Sequence, residues 1–307
     1  MSNERVDETI RSLVKRLSAN DRPTRDDAVV NLSEFLKSSG PLVEIDLLKI
    51  CKGLYFCMWM SDRPRTQQRL ANDIAELLVI VEEDNLLALI RAVWETLCRE
   101  WSSIDVLRID KYYLLIRRIV AASFRRLEKM SWKASAVSKY SQILSEFPLH
   151  PTNLRVPDGI RYHLVDIYVD ELEKVVVESH SSKRNTAIPV DGLLAPFERI
   201  AVLGISKVVR KRVVEEVLAD PRLAKLGYQV PDLRKLKDTF VRPHSAEATS
   251  DAEEETPDQP SPAKRQRLSK PSRSGKLSKA TSMANLKSPR ASRALAVDDA
   301  EWNGFSD

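Results

Sequence analysis

The sequence predicts an all-α protein: helix pairs stacked as a HEAT-like solenoid, followed by a disordered C-terminal tail. Three observations carry that prediction. From Glu4 to about Tyr228 the apolar residues recur at helical spacing with short breaks between segments. The 307 residues include only 8 glycines, little material for the tight turns and bulges that sheets require. No stretch alternates apolar and polar residues between hairpin turns. Segments of about two to six turns joined by short loops suit side-by-side pairs. The stacking is inferred from that regularity, since no repeat of fixed sequence is visible.

The elements follow in chain order. Val6, Ile10, Leu13, Val14 and Leu17 form the first apolar stripe. Asp21-Arg22-Pro23 ends it and opens the next helix, because proline is tolerated in a first turn. Ala28, Val29, Leu32, Phe35 and Leu36 form the second stripe, which Gly40-Pro41 breaks. Further segments follow at 42–60, 64–81, 86–101, 109–130, 134–147, 160–177, 193–203 and 208–218. Residues 1–240 are therefore read as a helical scaffold domain and 241–307 as an acidic-then-basic tail.

Composition bounds the chemistry. A hydrophobic share of 43% is enough for a real core, and 49 Lys+Arg against 44 Asp+Glu leave a formal charge of +5. No apolar run approaches the roughly 20 residues of a membrane span, so no membrane partner is expected. The start of the chain is charged rather than apolar, which argues against a secretory segment and for a reducing compartment. Cys51, Cys57 and Cys98 form no CxxC pair, and His150, His163, His180 and His244 show no ligand spacing. The thiols are expected to be buried, with no metal and no cofactor.

Residues 247–258 carry six acids and no base, and residues 261–293 carry ten bases and no acid. With few large apolar groups, such a segment cannot offset the entropy of its own ordering. Lys264, Arg265 and Arg267 make a compact basic cluster of the kind nuclear import receptors read. Ser261 and Ser288, each before proline, and Ser269 and Ser292 are candidate phosphorylation sites whose modification would cancel basic charge.

The stretch 108–133 is the most informative chemically. At about 100° per residue, Lys111, Arg118, Arg125 and Lys129 share a narrow sector flanked by Arg108, Arg126 and Lys133. Tyr112, Tyr113, Ile116, Ile119, Val120, Phe124 and Leu127 fall opposite. Two readings fit this stripe. It is either a solvated face paired with acids on neighbouring helices, or a ruler of cations that replaces condensed counterions on an RNA backbone.

The run Lys52-Gly53-Leu54-Tyr55-Phe56-Cys57-Met58-Trp59-Met60-Ser61-Asp62-Arg63-Pro64-Arg65-Thr66-Gln67-Gln68, followed by Leu70-Ala71, resembles the signature of the ribosomal RNA-processing protein 1 family, also called the nucleolar protein 52 family. Four further blocks agree in order: 99–105, 108–118, 157–163 and 166–172. Together they span most of residues 5–228, which leaves the tail outside the shared region. The resemblance implies a non-enzymatic factor of the nucleus and nucleolus. It would act in pre-ribosomal RNA processing and large-subunit assembly, bound to pre-ribosomal RNA and assembly proteins. Where the family usually has Asn-Gly after Pro157, this chain has Asp158-Gly159, which should keep the turn. Trp59 and Met60 are expected to close one helix, Ser61 or Asp62 to cap the next, and Pro64 to fix the corner. Arg63, Arg65 and Gln68 are the polar side chains at that corner and join Arg108, Lys111, Arg118, Arg125 and Lys129 as candidate RNA or partner contacts.

Paired carboxylates at Asp166, Asp170 and Glu171 invite an acid/base reading. No nucleophile, histidine partner or glycine loop accompanies them in sequence, and Lys174 four residues after Asp170 points to an ion pair instead. No catalytic residue and no small-molecule substrate are expected. Two functions stay open: an RNA-contacting scaffold of pre-ribosomal particles, and a nuclear protein–protein adaptor whose folded domain touches no RNA.

Overall fold

The computed structural model describes residues 3–181 and 187–241. The chain divides into two units, Met1–Ala248 and Thr249–Asp307. Lys264, Arg265, Arg267 and the four tail serines fall outside the described residues.

Among those residues the first unit contains twelve α-helices and no strand. They are α1 (Asn3–Leu17), α2 (Arg22–Ser38), α3 (Glu44–Trp59), α4 (Pro64–Ile80), α5 (Glu83–Glu100), α6 (Ile109–Lys129), α7 (Ala134–Glu146), α8 (Asp158–Ser181), α9 (Val190–Leu203), α10 (Lys207–Arg212), α11 (Pro221–Lys225) and α12 (Leu233–Val241). A short 3-10 turn, Trp101–Ser103, follows α5, and a π-helical stretch, Val213–Leu218, follows α10. Helix starts use local chemistry. Asp21 accepts from the Thr24 amide at 3.0 Å to cap α2, and Pro23, Pro64 and Pro221 sit in first turns, where their missing N–H removes no helical bond.

Packing alternates between two layers. Helices α1, α3, α5, α7 and α9 pack consecutively in one, and α2, α4, α6 and α8 in the other, where α10 and the π-helical stretch continue beyond α8. This is the solenoid of helix pairs that the spacing predicts. Between the layers Trp94, Tyr112, Phe124, Tyr140, Tyr168 and Phe197 are fully buried. Phe124 of α6 meets Tyr140 of α7 and Tyr168 of α8 at centroid distances of 6.2 and 4.9 Å, and Tyr168 meets Phe197 of α9 at 4.7 Å. Two phenol ends are satisfied by backbone, since Tyr112 donates to the Tyr55 carbonyl at 2.9 Å and Tyr168 to that of Leu193 at 3.0 Å.

A repeat does exist, and it is structural. The fourth residue of four second-layer helices donates to carbonyls of the loop just before its own helix. In α2, Arg25 donates to Ala19 and Asn20 at 2.8 and 2.7 Å and also reaches Met60 at 3.2 Å. In α4, Gln67 donates to Ser61 at 2.9 Å. In α8, Arg161 donates to Val156, His150 and Asn153 at 2.7 to 2.9 Å, and in α10 Arg210 donates to Gly204 and Ile205. Each donor satisfies loop carbonyls that no helical bond reaches, so it locks the corner that joins a pair. A faint sequence trace accompanies this. Asp-Arg-Pro occurs at 21–23 and again at 62–64, at the starts of α2 and α4.

Two helices lie beyond the last predicted segment. α11 and α12 are 5 and 9 residues long, too short to show a sustained apolar period. α12 packs on α9, and Arg199 lies 5.6 Å from the Phe240 ring centroid.

Candidate nucleic-acid interface

The cationic stripe of α6 is not one surface. α6 lies between α4 and α8 within its layer, so packing reaches well into the sector that periodicity assigns to solvent. Lys111 is only 5% exposed and donates to the Trp59 and Ser61 carbonyls, each at 2.7 Å. It is a structural tie between the first turn of α6 and the α3–α4 corner, which corrects its expected role as an RNA contact. Burial pulls its pKa down to about 8, with Asp62 acting in the opposite direction. Arg126 likewise closes the α4–α5 corner by donating to Val79 and Val81 at 3.4 and 3.0 Å. Arg108 pairs with Asp105 and stacks 4.8 Å from the Trp59 ring centroid, and Arg118 is half-buried with its Nε enclosed. Arg125 and Lys129 are exposed, and Arg125 faces Glu76 at 3.6 Å. Of the predicted stripe, then, only its C-terminal end offers exposed cations to a partner.

The corner between α3 and α4 behaves differently. Arg63, Arg65 and Gln68 are all exposed. Capping is not as expected: Arg63 occupies the N-cap of α4 and supplies no side-chain acceptor, while Ser61 is 3% exposed with its hydroxyl unpartnered among the described residues. Pro64 does sit in the first turn. Folding adds what the sequence could not display, because Arg22 of α2 and Arg69 of α4 join Arg63, Pro64, Arg65 and Thr66 around one open concavity. Asp26 takes up Arg22 at 3.2 Å and Arg69 at 2.6 Å. Among the described residues no carboxylate pairs with Arg63 or Arg65.

The blocks that carry the family resemblance meet along the same series of corners. Lys52 pairs with Glu100 at 2.5 Å, Tyr55 Oη lies 3.3 Å from Ser103 Oγ, and Trp101 packs on Tyr113 at 5.4 Å. Tyr113 in turn packs on His163 at 4.6 Å. Asp158 and Gly159 form the first turn of α8 rather than a separate turn. A Cβ on Gly159 would meet Tyr113 Oη at 3.2 Å and Trp101 Nε1 at 3.5 Å, so close approach and not backbone sign calls for glycine.

The paired carboxylates are engaged by arginines. Arg117 binds Glu171 at 2.6 Å and Asp170 at 3.3 Å, Arg222 binds Asp170 and Glu173 at 3.0 and 2.9 Å, and Arg212 binds Asp166 at 2.6 Å. Lys174 pairs with Glu171 at 2.7 Å rather than with Asp170. This network ties α8 to α6 and to the segment around α11. Burial pushes the Cys57 and Cys98 thiols up to about 12 and raises Cys51 further. Among the described residues no group of three or more His, Cys, Asp or Glu is placed to hold a metal, and no helix is long and apolar enough to cross a membrane.

A family model described as "Nucleolar protein, Nop52" matches residues 8–288. That match takes in Lys264, Arg265 and Arg267, which corrects the expectation that the tail lies outside the shared region. The chain is similar to "Ribosomal RNA processing protein 1 homolog B" of Homo sapiens, 40% identical over 167 residues that cover 52% of this chain and 22% of that protein. It is 33% identical to homolog A of Homo sapiens over 195 residues, 62% of this chain and 41% of that protein. The Drosophila melanogaster homolog is 32% identical over 193 residues, 60% and 27% of the two chains. Each match spans less than half of the relative's length. A family match over 8–288 of 307 residues settles the affiliation: the chain belongs to the nucleolar protein Nop52 family.

Proposed function

We propose that the helical unit is a non-enzymatic scaffold that binds pre-ribosomal particles during ribosomal RNA processing and large-subunit assembly. The observation that carries this reading is the contrast between two sets of polar side chains, most of them cationic. Arg25, Lys111, Arg126 and Arg161 are spent on locking corners, so the frame is rigid. Arg63, Arg65, Gln68, Arg125 and Lys129 remain exposed on that frame for a partner. The relatives' names, which speak of ribosomal RNA processing, supply the context. Pre-ribosomal RNA and assembly proteins are the proposed partners. Lys264, Arg265 and Arg267 are the proposed import-receptor motif, tested by loss of nuclear entry when all three become alanine.

Sedimentation of the tagged full chain in cell extract tests the scaffold reading. Co-migration with large-subunit precursor particles is expected, and migration only as free protein would overturn it. The adaptor alternative is separated by titrating purified chain against RNA at several salt concentrations, since phosphate contacts give a steep negative slope. Incubation with precursor RNA and Mg²⁺ should leave the RNA intact.

A further inference from the structure

We propose that the concavity between the N-terminal ends of α2 and α4 is a binding site for the phosphodiester backbone of RNA, with Arg63 and Arg65 as its principal contacts. The inference deepens the scaffold reading and rests on it for biological context. Its physical case is local.

Four guanidinium-bearing residues, Arg22, Arg63, Arg65 and Arg69, line this one open depression. The duplicated Asp-Arg-Pro places two of them, Arg22 and Arg63, at the starts of two neighbouring second-layer helices, and Arg65 and Arg69 follow within α4. Asp26 bridges Arg22 and Arg69, which orients both and neutralises part of their charge. Arg63 and Arg65 keep their full charge, exposed and without a carboxylate among the described residues. An unpaired arginine cluster of this kind costs stability through mutual repulsion unless an anion joins it. Guanidinium groups match phosphate oxygens two at a time, which a rigid display favours.

The rigidity comes from beneath. Arg25, itself buried, ties the α1–α2 loop to Met60, and Gln67 and Lys111 both bind the Ser61 carbonyl just before Asp62 and Arg63. The two arginine-bearing corners are thereby held to each other before any ligand arrives, which lowers the ordering cost of binding. The lining also selects the class of partner. Apart from Pro64 and Thr66 it is all arginine, with no large apolar side chain to serve as the buried anchor that a protein partner uses. A chain of phosphates needs no such anchor.

The test uses the full chain, a fluorescein-labelled 20-nucleotide oligouridylate, and the double variant Arg63→Gln/Arg65→Gln, with Lys139→Gln/Arg155→Gln, exposed cations away from the corner, as the charge-matched comparison. Binding is read by anisotropy across salt concentrations, and accessibility of each arginine to hydroxyphenylglyoxal is read by mass spectrometry with and without RNA. The expected result is protection of Arg63 and Arg65 by RNA, about a tenfold weaker affinity for the corner variant, and a log–log salt slope shallower by about 1.4, or 0.7 for each single-stranded phosphate contact. The basic tail does not confuse the protection readout, which is specific to each arginine. Unprotected Arg63 and Arg65 with an unchanged slope would overturn the site, while co-sedimentation with precursor particles would still decide the scaffold reading independently. Tighter binding of a deca-glutamate peptide than of the RNA, lost in the same variant, would instead assign the corner to an acidic protein segment and overturn the RNA proposal.

Discussion

Replacing Lys111 with methionine separates a structural cation from an RNA-binding one. Lys111 donates two bonds of 2.7 Å to the Trp59 and Ser61 carbonyls. Hydrogen bonds from a charged donor contribute about 1.5–3 kcal/mol each, so the gross loss is about 3–6 kcal/mol. Methionine keeps the length and packing of the stem, and relief of the ammonium's desolvation returns part of that loss. Ser61 keeps a partner in Gln67 at 2.9 Å, whereas Trp59 at the end of α3 loses the one its carbonyl had from Lys111. A net destabilisation of about 1 kcal/mol follows, because the orphaned Trp59 carbonyl is part-buried and falls at the low end of the about 1–3 kcal/mol that a fully buried one costs. Urea unfolding of the full chain should show a lower midpoint at unchanged slope. The salt dependence of RNA binding should not move, since a lost phosphate contact would make the slope shallower by about 0.7–0.9. An unchanged midpoint with a shallower salt slope would refute the reasoning and return Lys111 to the interface.

Three further outcomes are expected. His163 donates from Nε2 to the Tyr113 carbonyl at 2.9 Å, and His150 Nδ1 accepts from the Thr152 and Asn153 amides at 3.2 and 3.0 Å, an acceptor role that only a neutral ring fills. Burial lowers both pKa values below 6.5, so the unfolded chain takes up protons first as pH falls. Stability is therefore full above about pH 6.5 and declines below it, and His163→Gln should flatten that decline in urea midpoints between pH 7 and 5. The three thiols, raised by burial, should label slowly with a disulfide reagent at pH 8 and become reactive in denaturant; rapid labelling of the native chain would contradict their placement. Gly204→Ala should destabilise by about 1–3 kcal/mol in thermal unfolding, because its Cβ would lie 2.6 Å from the Ile200 carbonyl oxygen.

The helices were legible because each must bury an apolar stripe, and a stripe with period near 3.6 survives any detail of packing. Phe124, Ile116 and Leu127 point inward in the structure as periodicity requires. The stripe of cations on α6 obeyed the same arithmetic and misled. A helical wheel fixes which residues share a side but not whether a neighbouring helix covers that side. Packing of α4 and α8 against α6 turned Lys111 and Arg126 into donors to backbone carbonyls. The corner at Arg63 and Arg65 was readable because a proline marks a helix start and the residues around it lie in a turn. Arg22 and Arg69 were missed there, since nothing in a linear chain says that residues 22 and 69 face one depression. The duplicated Asp-Arg-Pro was the one signal that pointed to it.

By itself the sequence determined the all-helical class, the order and approximate limits of α1–α10, and the family, because each depends on local spacing or on runs of adjacent residues. Tertiary structure decided which of the many cations are buried ties and which are exposed. It also brought Arg22, Arg63, Arg65 and Arg69 to one place. The reason is that charge acts through space and through burial, and both are settled only when the two layers of helices close on each other.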